Sequence, residues 1–463
     1  MSRSAVLAAA VDLGSTLLKS ALLRSDGALE ARLSLPAPPL GGAGEIREGD
    51  ASAFACVADR LLDDLARAVP CGTALGLATQ RSSFLLWDCR TGEPLTPLVS
   101  WQDRRAASWC ARHQDAAPEV ARRTGLVLTA HYVGPKLAAL VEQSREWREL
   151  LSRESTLLGT LDCWLIWRRT DGRAHEVDRT MAARTAMLDL ADATWSDELL
   201  ALYGVRRSIL PRVRSSTGIG VPLDGGLVLR ASIADQAASV LPLLGEHGDV
   251  LSVTLGTGAF VLRPLARREP PSPGYLLAPI LSCPTGKSLW AHEGTVNGAG
   301  AAVDRFGPGP TELPGSDPTP DAWCLPDVAG LGSPWWRPEV GLTFSDAAAS
   351  LDTANQRRVV LEGLLFRVRQ VIADLGGAPR DRRVLLAGGL AREPFVAQGL
   401  AALLERPIEC VEIHDAGLVG AAGLAAGRTT FGDPVTRAVQ PSGSGAYLPA
   451  KYGRWRAWAD SVL

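Results

Sequence analysis

The first apolar and polar positions of the chain follow the pattern of short strands joined by tight turns. Residues 6–12 are largely apolar, a Gly-Ser-Thr turn occupies residues 14–16, and a second apolar run covers residues 17–23. A Ser-Asp-Gly sequence at residues 25–27 then precedes further apolar residues, and Asp-Gly is a strong hairpin signal. The pattern predicts strand, turn, strand, hairpin turn and strand.

A similar pattern returns in the second half of the chain. Residues 249–263 again contain two apolar runs around a Gly-Thr-Gly turn. Aligning Val11 with Val253 brings Gly14 onto Gly256. The repeat predicts a duplication in which each half opens a sheet with a hairpin.

Between these repeats, helical and strand-like patterns alternate. Helical periodicity covers residues 53–68 and 137–151, and short β-like runs cover residues 74–78 and 84–87. This alternation predicts an α/β fold with a central sheet. Gly, Ser and Pro accumulate at residues 215–226, which predicts an N-terminal domain over 1–225 and a C-terminal domain over 226–463. Residues 307–332 have the composition of an irregular surface loop.

Composition and charge narrow the class of partner. The chain has 463 residues, 46% of them hydrophobic, and a net charge of -2, so a nucleic acid or an anionic membrane is not the expected partner. The eight cysteines show no metal or disulfide spacing, and no apolar run has the length of a membrane span. We expect a cytoplasmic protein that acts on a small molecule. A homodimer is left open.

The turn after the first strand has the residues of a phosphate site. Glycine lets the backbone approach a ligand, hydroxyl and N–H groups accept an anion, and Asp12 could hold a hydrated magnesium ion. The alternative is an ordinary hairpin turn with an Asp at the end of a strand. The repeat at residues 255–258 favours phosphate binding, because two related turns could hold one polyphosphate.

A second glycine turn lies further along the chain. An apolar run at residues 384–387 ends in Gly388 and Gly389, and a helical pattern follows at 394–404. Bare backbone beside a helix start could carry a flat ring or a ribose. Turns of this kind also occur in α/β proteins without a ligand.

Asp235 lies between a predicted strand at residues 227–231 and a predicted helix at 237–244. A carboxylate in this position could cap the helix. It could also be a general base that takes the proton of a substrate hydroxyl during phosphoryl transfer. The residue pattern alone leaves both interpretations open.

Polar clusters follow two further predicted strands, at residues 79–82 and 100–105. Arg and Gln side chains can bind the hydroxyls of a polyol, and the ring of Trp101 can support its carbon face. The alternative is a surface salt-bridge cluster with one buried Trp.

Several ordered motifs follow one another along the chain: Gln80-Arg81, Trp101-Gln102-Asp103-Arg104-Arg105, residues 159–167, residues 178–185, Ala234-Asp235-Gln236, Gly256-Thr257-Gly258, Glu293-Gly294, Gly388-Gly389 and residues 417–422. Taken together, they resemble the FGGY family of carbohydrate kinases over nearly the whole chain, and within that family the glycerol kinases.

The resemblance implies two actin-like, ribonuclease H-like ATPase domains with a cleft between them, and it implies ATP and Mg²⁺ as cofactors. It implies Asp235 as the general base and Asp12 as the residue near the metal. Polyol contacts are implied for Arg81, Ser82, Trp101, Tyr132, Asp235 and Gln236. ATP contacts are implied for Gly14, Ser15, Thr16, Lys19, Gly256, Thr257, Gly258, Gly300, Gly388, Gly389 and Glu393.

The chain departs from the glycerol kinase pattern at two site positions. Glycerol kinases carry Glu directly after the Arg, and this chain has Ser82. They usually have Asn near the adenine where this chain has Glu393. The resemblance also implies that the loop at residues 307–323 is shorter than in glycerol kinases. The first departure predicts a roomier pocket, better suited to a C4 or C5 polyol or ketose than to glycerol.

Two other functions are compatible with the same fold. One is a non-catalytic ATP-binding switch, and the other is a degenerate family member that binds a sugar and regulates another process. A sugar pocket around Asp235 argues against an ATP-binding switch, because a switch needs no such pocket. The intact phosphate turns argue against a degenerate family member. We therefore expect an ATP-dependent polyol or sugar kinase, with a divergent glycerol kinase and a xylulokinase-like pentulose kinase as narrower alternatives.

Overall fold

Strands and helices alternate along the chain in the computed structural model, which describes residues 4–245, 249–256, 258–307 and 312–463. The strands are β1 (Val6–Leu13), β2 (Leu17–Arg24), β3 (Leu29–Pro36), β4 (Leu40–Gly41), β5 (Glu48–Gly49), β6 (Ala74–Thr79), β7 (Phe84–Asp88), β8 (Leu98–Val99), β9 (Thr156–Thr160), β10 (Glu176–Asp178), β11 (Leu188–Asp189), β12 (Thr194–Trp195), β13 (Arg212–Arg214), β14 (Thr217–Pro222), β15 (Val228–Ala234), β16 (Val250–Leu255), β17 (Ala259–Leu265), β18 (Leu276–Ser282), β19 (Ser288–Val296), β20 (Cys324–Leu325), β21 (Thr343–Phe344), β22 (Arg383–Ala387), β23 (Ile408–Val411) and β24 (Thr436–Val439).

The helices are α1 (Ala51–Ala68), α2 (Ala107–Arg112), α3 (Ala117–Thr124), α4 (Val133–Gln143), α5 (Arg145–Ser152), α6 (Leu161–Arg168), α7 (Arg179–Ala182), α8 (Asp197–Tyr203), α9 (Asp235–Leu244), α10 (Ala299–Asp304), α11 (Asp346–Ala349), α12 (Thr353–Asp374), α13 (Pro394–Leu404), α14 (Ala416–Ala425) and α15 (Leu448–Val462). None of these helices has both the length and the apolar character needed to cross a membrane, as judged over the described residues.

The first unit comprises residues Met1–Pro242, Ala278–Trp290 and Asp415–Phe431. Its main sheet has the strand order β14-β15-β6-β1-β2-β3. The β1–β2 and β2–β3 pairs are antiparallel, while β1 pairs with β6, and β6 with β15, in parallel. Apolar residues of β1 and β6 and one face of α1 form its hydrophobic core. Helix α14 packs so closely on the sheet that a Cβ on Gly76 would overlap the Ala421 carbonyl group.

The second unit comprises residues Leu243–Leu277, Ala291–His414 and Gly432–Leu463. Its sheet has the order β18-β19-β17-β16-β22-β23-β24, and the far ends of β18 and β19 are counted with the first unit. The β16–β17 pair is antiparallel, β16, β22 and β23 are parallel, and β24 is antiparallel to β23. Helices α12, α13 and α15 contribute to its core.

The predicted duplication is confirmed by the strand pairing. In the first unit, β1 of the β1–β2 hairpin is followed across the sheet by the parallel strands β6 and β15 and then by the antiparallel strand β14. In the second unit, β16 of the β16–β17 hairpin is followed by the parallel strands β22 and β23 and then by the antiparallel strand β24. Each first strand ends in Leu immediately before the glycine that the alignment equates. The two halves therefore share an architecture as well as a local sequence pattern.

Three local predictions differ from the structure. Residues 137–151 fall in two helices, α4 and α5, because Ser144 accepts a hydrogen bond from Trp147 N and begins a new helix. The segment expected to separate the domains, 215–226, contains strand β14, which pairs with β15. Residues 226–242, assigned by the sequence to the second domain, group with the first unit because β15 pairs with β6.

Candidate active site

The turn between β1 and β2 exposes the hydroxyl residues expected to bind phosphate. Ser15 and Thr16 are exposed. A Cβ on Gly14 would lie 2.9 Å from the carbonyl oxygen of Leu17, which is closer than ordinary Cβ contacts. Glycine is therefore required for the turn itself, and its backbone is left open beside two hydroxyl groups.

Asp12, near the end of β1, is half-buried and has unused hydrogen-bonding capacity on a buried oxygen. Its Oδ1 has no hydrogen-bond partner in the described structure. Burial, together with the charges of Asp235 and Asp415, raises the pKa of Asp12 to about 7, although Lys19 acts in the opposite direction. A cation beside this oxygen would relieve the cost of ionising it.

The pair Lys19–Asp415 lies next to Asp12. Lys19 Nζ donates to Asp415 Oδ1 at 2.6 Å, with both side chains about one-third exposed. Asp415 precedes α14 with a left-handed φ of 53°. The sequence did not reveal Asp415 as a partner of Lys19, because the two residues are 396 positions apart and only the packing of α14 brings them together. The motif at residues 417–422 was the available signal.

The residues beside Asp12 offer a magnesium ion few protein ligands. No group of three or more His, Cys, Asp or Glu side chains within the described ranges could hold a metal ion. Mg²⁺ commonly uses only one or two protein carboxylates together with substrate phosphates and water. The unpartnered oxygen of Asp12 meets that smaller requirement.

Asp235 is the first residue of α9 and is half-buried. Its Oδ1 accepts a hydrogen bond from the Gln236 backbone N–H at 2.8 Å. Burial raises the pKa of Asp235 above its ordinary value, and Arg81, this backbone bond and Arg184 offset only part of that rise. Arg81 also donates to Gln236 Oε1. The carboxylate thus lies in a partly buried site with basic side chains that favour its ionised form.

Ser82 follows Arg81 in a constrained position. It is 0% exposed and has a left-handed φ of 60°. Its Oγ donates to the carbonyl oxygen of Arg184 at 2.9 Å. The hydroxyl therefore fixes the backbone of Arg184, and a longer side chain at this position would have to displace packed atoms.

Trp101, His131 and Tyr132 form an aromatic group in the same unit. The rings of Trp101 and His131 lie 5.5 Å apart, and those of His131 and Tyr132 lie 5.4 Å apart. Lys136 is fully buried and donates from Nζ to the carbonyl oxygen of Ser100 at 2.8 Å. Ser100 is therefore held in place and Trp101 is half-buried, while Arg105 forms ion pairs with Asp103 and Glu48, so the structure contains both a candidate polyol surface and the salt-bridge cluster of the alternative interpretation.

A hydrogen-bond network holds the strand that leads to Asp235. Asp178 accepts bonds from the Oγ1 and N–H of Thr180 and from Ser216 Oγ. Thr180 Oγ1 in turn accepts from the N–H of Ala234 at 2.8 Å. The motif at residues 178–185 thus supplies Arg184 and positions the residue before Asp235, roles that the sequence did not assign.

The glycines in the two predicted turns of the second unit present backbone atoms without side chains. A Cβ on Gly256 would have open space, and one on Gly258 would come no nearer than 3.5 Å to another atom. Thr257, between them, lies outside the described residues. At Gly388, φ is 98° and a Cβ would lie 2.7 Å from the Leu255 carbonyl carbon. Gly388 is required by packing, whereas Gly256 and Gly258 are not.

The other predicted nucleotide residues lie in the same unit. Gly300 is buried within α10, and Gly389 begins the short turn after β22. Glu393 precedes α13 and accepts two hydrogen bonds from Arg357, at 2.8 and 3.1 Å. This ion pair accounts for the carboxylate structurally, so a nucleotide contact by Glu393 stays a prediction.

The structure thus gathers the predicted residues into two sets. The set in the first unit consists of Asp12, Gly14, Ser15, Thr16, Lys19, Arg81, Ser82, Trp101, Tyr132, Asp235 and Gln236. The set in the second unit consists of Gly256, Gly258, Gly300, Gly388, Gly389 and Glu393. All the charged residues except Glu393 belong to the first set, whereas five of the six residues in the second set are glycines.

Comparison with known proteins identifies the family of the chain. Residues 7–234 match the N-terminal domain of the FGGY family of carbohydrate kinases, and residues 311–428 match its C-terminal domain. The glycerol kinase of Rhodopseudomonas palustris is 32% identical, with 90% of this chain and 88% of that protein covered.

Solved structures share the fold. The Plasmodium falciparum glycerol kinase with ADP has a TM-score of 0.81 at 17% identity, and coverage is 98% of each chain. A ligand-bound xylulose kinase from Lactobacillus acidophilus has a TM-score of 0.82 at 19% identity, again over 98% of each chain. The predicted two-domain actin-like fold is confirmed. This chain therefore belongs to the FGGY family of carbohydrate kinases.

Proposed function

We propose that this chain transfers the γ-phosphoryl group of ATP to a hydroxyl of a small polyol or ketose, with Asp235 as the general base. The observation that carries the proposal is the carboxylate of Asp235, which interacts with Asp12 beside the phosphate-type turn and with the basic side chains of Arg81 and Arg184, all within the first unit. Family membership supports the reaction class.

The proton transfer follows from the setting of Asp235. As the acceptor oxygen bonds to the γ-phosphorus, the bond from phosphorus to the ADP oxygen breaks and the hydroxyl proton moves to the carboxylate. Asp235 must be ionised for this step. Arg81 and Arg184 oppose the effect of burial on its pKa, which favours the ionised form.

Asp12 and Lys19 are proposed to serve the phosphate end of the site. Magnesium, when bound, neutralises charge on the transferring phosphoryl group. Asp12 would hold it through its unpartnered oxygen, directly or through water. Lys19 is kept in place by Asp415 and presents a cation beside the exposed turn, whose hydroxyls and N–H groups would accept phosphate oxygens.

The acceptor would be oriented by Arg81, Trp101, Tyr132 and Gln236. Arg81 and Gln236 already contact one another, so their donor and acceptor groups are held in fixed positions before substrate binds. The half-buried Trp101 offers an aromatic face to the carbon chain. Ser82 would act indirectly, by fixing the backbone of Arg184.

The second unit is proposed to hold the nucleotide through backbone groups. Gly256 and Gly258 leave open space where side chains would fit, and this is what close approach of a phosphate requires. Thr257, Gly300 and Gly389 belong to the same proposal, with Gly388 needed to shape the turn.

The test is an ADP-release screen against C3 to C7 polyols and ketoses, compared with the acceptor-free rate. At least one acceptor should raise ADP release by a factor of ten or more. ATP binding with no stimulation by any acceptor would favour an ATP-binding switch instead. If glycerol outperforms every larger acceptor, the predicted preference for C4 or C5 compounds is wrong and the chain is a divergent glycerol kinase.

We also propose a cytoplasmic location. The eight cysteines are all free in the structure, which suits a reducing compartment that supplies ATP. Assembly as a homodimer stays a prediction, and analytical ultracentrifugation would test it.

A further inference from the structure

Strand β15, which leads to Asp235, lacks a strand neighbour on one side at its last residue. On that side β14 pairs with the body of β15, and the N–H of Ser232 donates to the carbonyl oxygen of Ser216 at 3.0 Å. Residues 212–214, just before Ser216, pair with β10 instead. The N–H of Ala234 points to the same side as that of Ser232, where the described strands offer it no partner.

A side chain supplies the acceptor that the sheet lacks at Ala234. This residue is 1% exposed, so water does not satisfy its N–H, which donates instead to Thr180 Oγ1 at 2.8 Å. A buried N–H without a partner would lose its hydrogen bond to water and gain nothing in return. The Thr180 hydroxyl therefore replaces a strand where the chain passes from β15 to Asp235, the first residue of α9.

The carboxylate of Asp178 fixes the direction of the Thr180 hydroxyl. Thr180 Oγ1 lies 2.9 Å from both oxygens of Asp178. An ionised carboxylate only accepts, so the hydroxyl hydrogen faces Asp178 and a lone pair is left for the N–H of Ala234. Asp178 also accepts from the N–H groups of Thr180 and Met181, each at 3.0 Å, and from Ser216 Oγ at 2.7 Å. Burial raises the pKa of Asp178, and these bonds oppose that rise.

The same carboxylate orders a cation that acts on Asp235. Asp178 is the N-cap of α7, and the short turn that holds Arg184 follows α7 directly. The carbonyl oxygen of Arg184 accepts a hydrogen bond from Ser82 Oγ at 2.9 Å, which fixes the far end of this segment. One buried carboxylate thus holds both the backbone before Asp235 and the segment that carries Arg184.

We propose that Thr180 and Asp178 are positioning residues for the general base: the Thr180 hydroxyl, oriented by Asp178, holds the Ala234 N–H and so sets the place of the Asp235 carboxylate. This inference rests on the proposed function and adds the residues that hold its base. Both side chains are 2% exposed, so they act through Asp235 and not on a ligand. A reacting group displaced by about 1 Å can lose about 10²-fold in rate.

Two substitutions at Thr180 separate the role of its hydroxyl from that of its methyl group. Thr180→Val keeps the shape and removes the acceptor, so kcat should fall about tenfold or more while the Kd for ATP stays within about threefold. Thr180→Ser keeps the hydroxyl and should keep kcat within about threefold. Steady-state kinetics and calorimetry with ATP measure these values. Thr180→Ala, which also lacks the hydroxyl, replaces Thr180→Val if melting shows that the latter does not fold.

Thr170→Val is the matched control. Thr170 is 0% exposed, and its Oγ1 likewise accepts a backbone N–H, that of Ala174, at 3.2 Å. Its hydroxyl donates to the carbonyl oxygen of Ile166 in α6 and does not contact the segment before Asp235. The control should lower the melting temperature and leave kcat within about threefold.

The Asp235→Asn variant supplies a measurement that a merely structural role would not move. Because Thr180 acts through Asp235, adding Thr180→Val to Asp235→Asn should change the single-turnover rate less than about threefold. An equal fractional loss with and without Asp235→Asn shows a general structural role and overturns the inference.

The remaining outcomes separate this inference from the proposed function. A kcat near that of the unaltered chain in the folded variant without the hydroxyl, or an equal loss in Thr180→Ser, overturns the positioning role and leaves the kinase proposal in place. If the unaltered chain shows no acceptor-stimulated ADP release, the proposed function itself fails.

Discussion

The two units share a strand arrangement but differ in the residues at equivalent turns. Under the alignment of Val11 with Val253, Asp12 corresponds to Thr254 and Lys19 to Val261. The first unit therefore has a carboxylate and a cation beside its turn, and the second has neither at those positions. The two halves share one scaffold, and the differences at these positions give the first unit the carboxylate and the cation that we propose to serve the phosphate end of the site.

The equivalent glycines show the same contrast. A Cβ on Gly14 would press on the Leu17 carbonyl, whereas a Cβ on Gly256 would meet nothing within 4 Å. The first glycine is explained by the turn alone. The second is not explained by packing, so we attribute it to ligand approach.

The largest expected effect is that of Asp235→Asn. An amide cannot accept the hydroxyl proton, so turnover should fall by about 10² to 10⁴. The phosphate turns are unaltered, and ATP affinity should stay within about threefold. Single-turnover kinetics with saturating acceptor would measure the loss. Near-normal turnover would remove Asp235 as the base.

The next effect separates glycines used for folding from glycines used for binding. Gly388→Ala should lower the free energy of unfolding by about 2–4 kcal/mol, because the Cβ meets the Leu255 backbone at a positive φ. Gly256→Val should change unfolding by less than about 1 kcal/mol yet weaken ATP binding about tenfold or more. Urea denaturation and calorimetry of both variants test the pair. An unchanged ATP affinity in Gly256→Val would contradict a phosphate role for this turn.

A smaller effect concerns the pH dependence of stability through Asp12. Its pKa is raised from 3.8 to about 7, so the folded chain binds this proton more tightly than the unfolded chain. The free energy of unfolding should therefore fall as the pH rises from 3.8 to about 7. Asp12→Asn removes that contribution and should reduce the fall between about pH 5 and pH 8 by roughly 1–3 kcal/mol in metal-free buffer. If the free energy of unfolding changed with pH in the same way in both proteins, Asp12 would not have a raised pKa in the folded chain.

The smallest effect is expected at Glu393. Glu393→Gln removes the charge that pairs with the buried Arg357 and should lower the free energy of unfolding by about 1–2 kcal/mol. If the carboxylate is mainly structural, the KM for ATP should change less than about threefold. A larger change in KM without loss of stability would instead support a nucleotide contact.

Local patterns in the sequence predicted much of the fold. Both hairpins, helix α13 and the strand before Asp235 follow from short-range apolar periodicity and turn residues. The break at Ser144 and strand β14 were missed. A single capping serine interrupts a continuous helical pattern in the first case, and a Gly-rich edge strand resembles a linker in the second.

The site was predictable where its residues lie in short motifs. Asp415 and Lys136 carry no local sign of their position, since one reaches the site through the packing of α14 and the other through burial against Ser100. The burial that raises the pKa of both Asp12 and Asp235 also arises only from tertiary contacts. Sequence reasoning identified candidate groups, and folding determined their electrostatics.

We assign the chemistry to the first unit and nucleotide binding to the second. This assignment is tested most directly by measuring ATP affinity, acceptor affinity and turnover together in Asp235→Asn and Gly256→Val. The account predicts opposite profiles: Asp235→Asn loses turnover and keeps ATP affinity, and Gly256→Val loses ATP affinity and keeps acceptor affinity. If both variants lose ATP affinity and acceptor affinity to the same extent, the assignment of chemistry to the first unit and of nucleotide binding to the second is wrong.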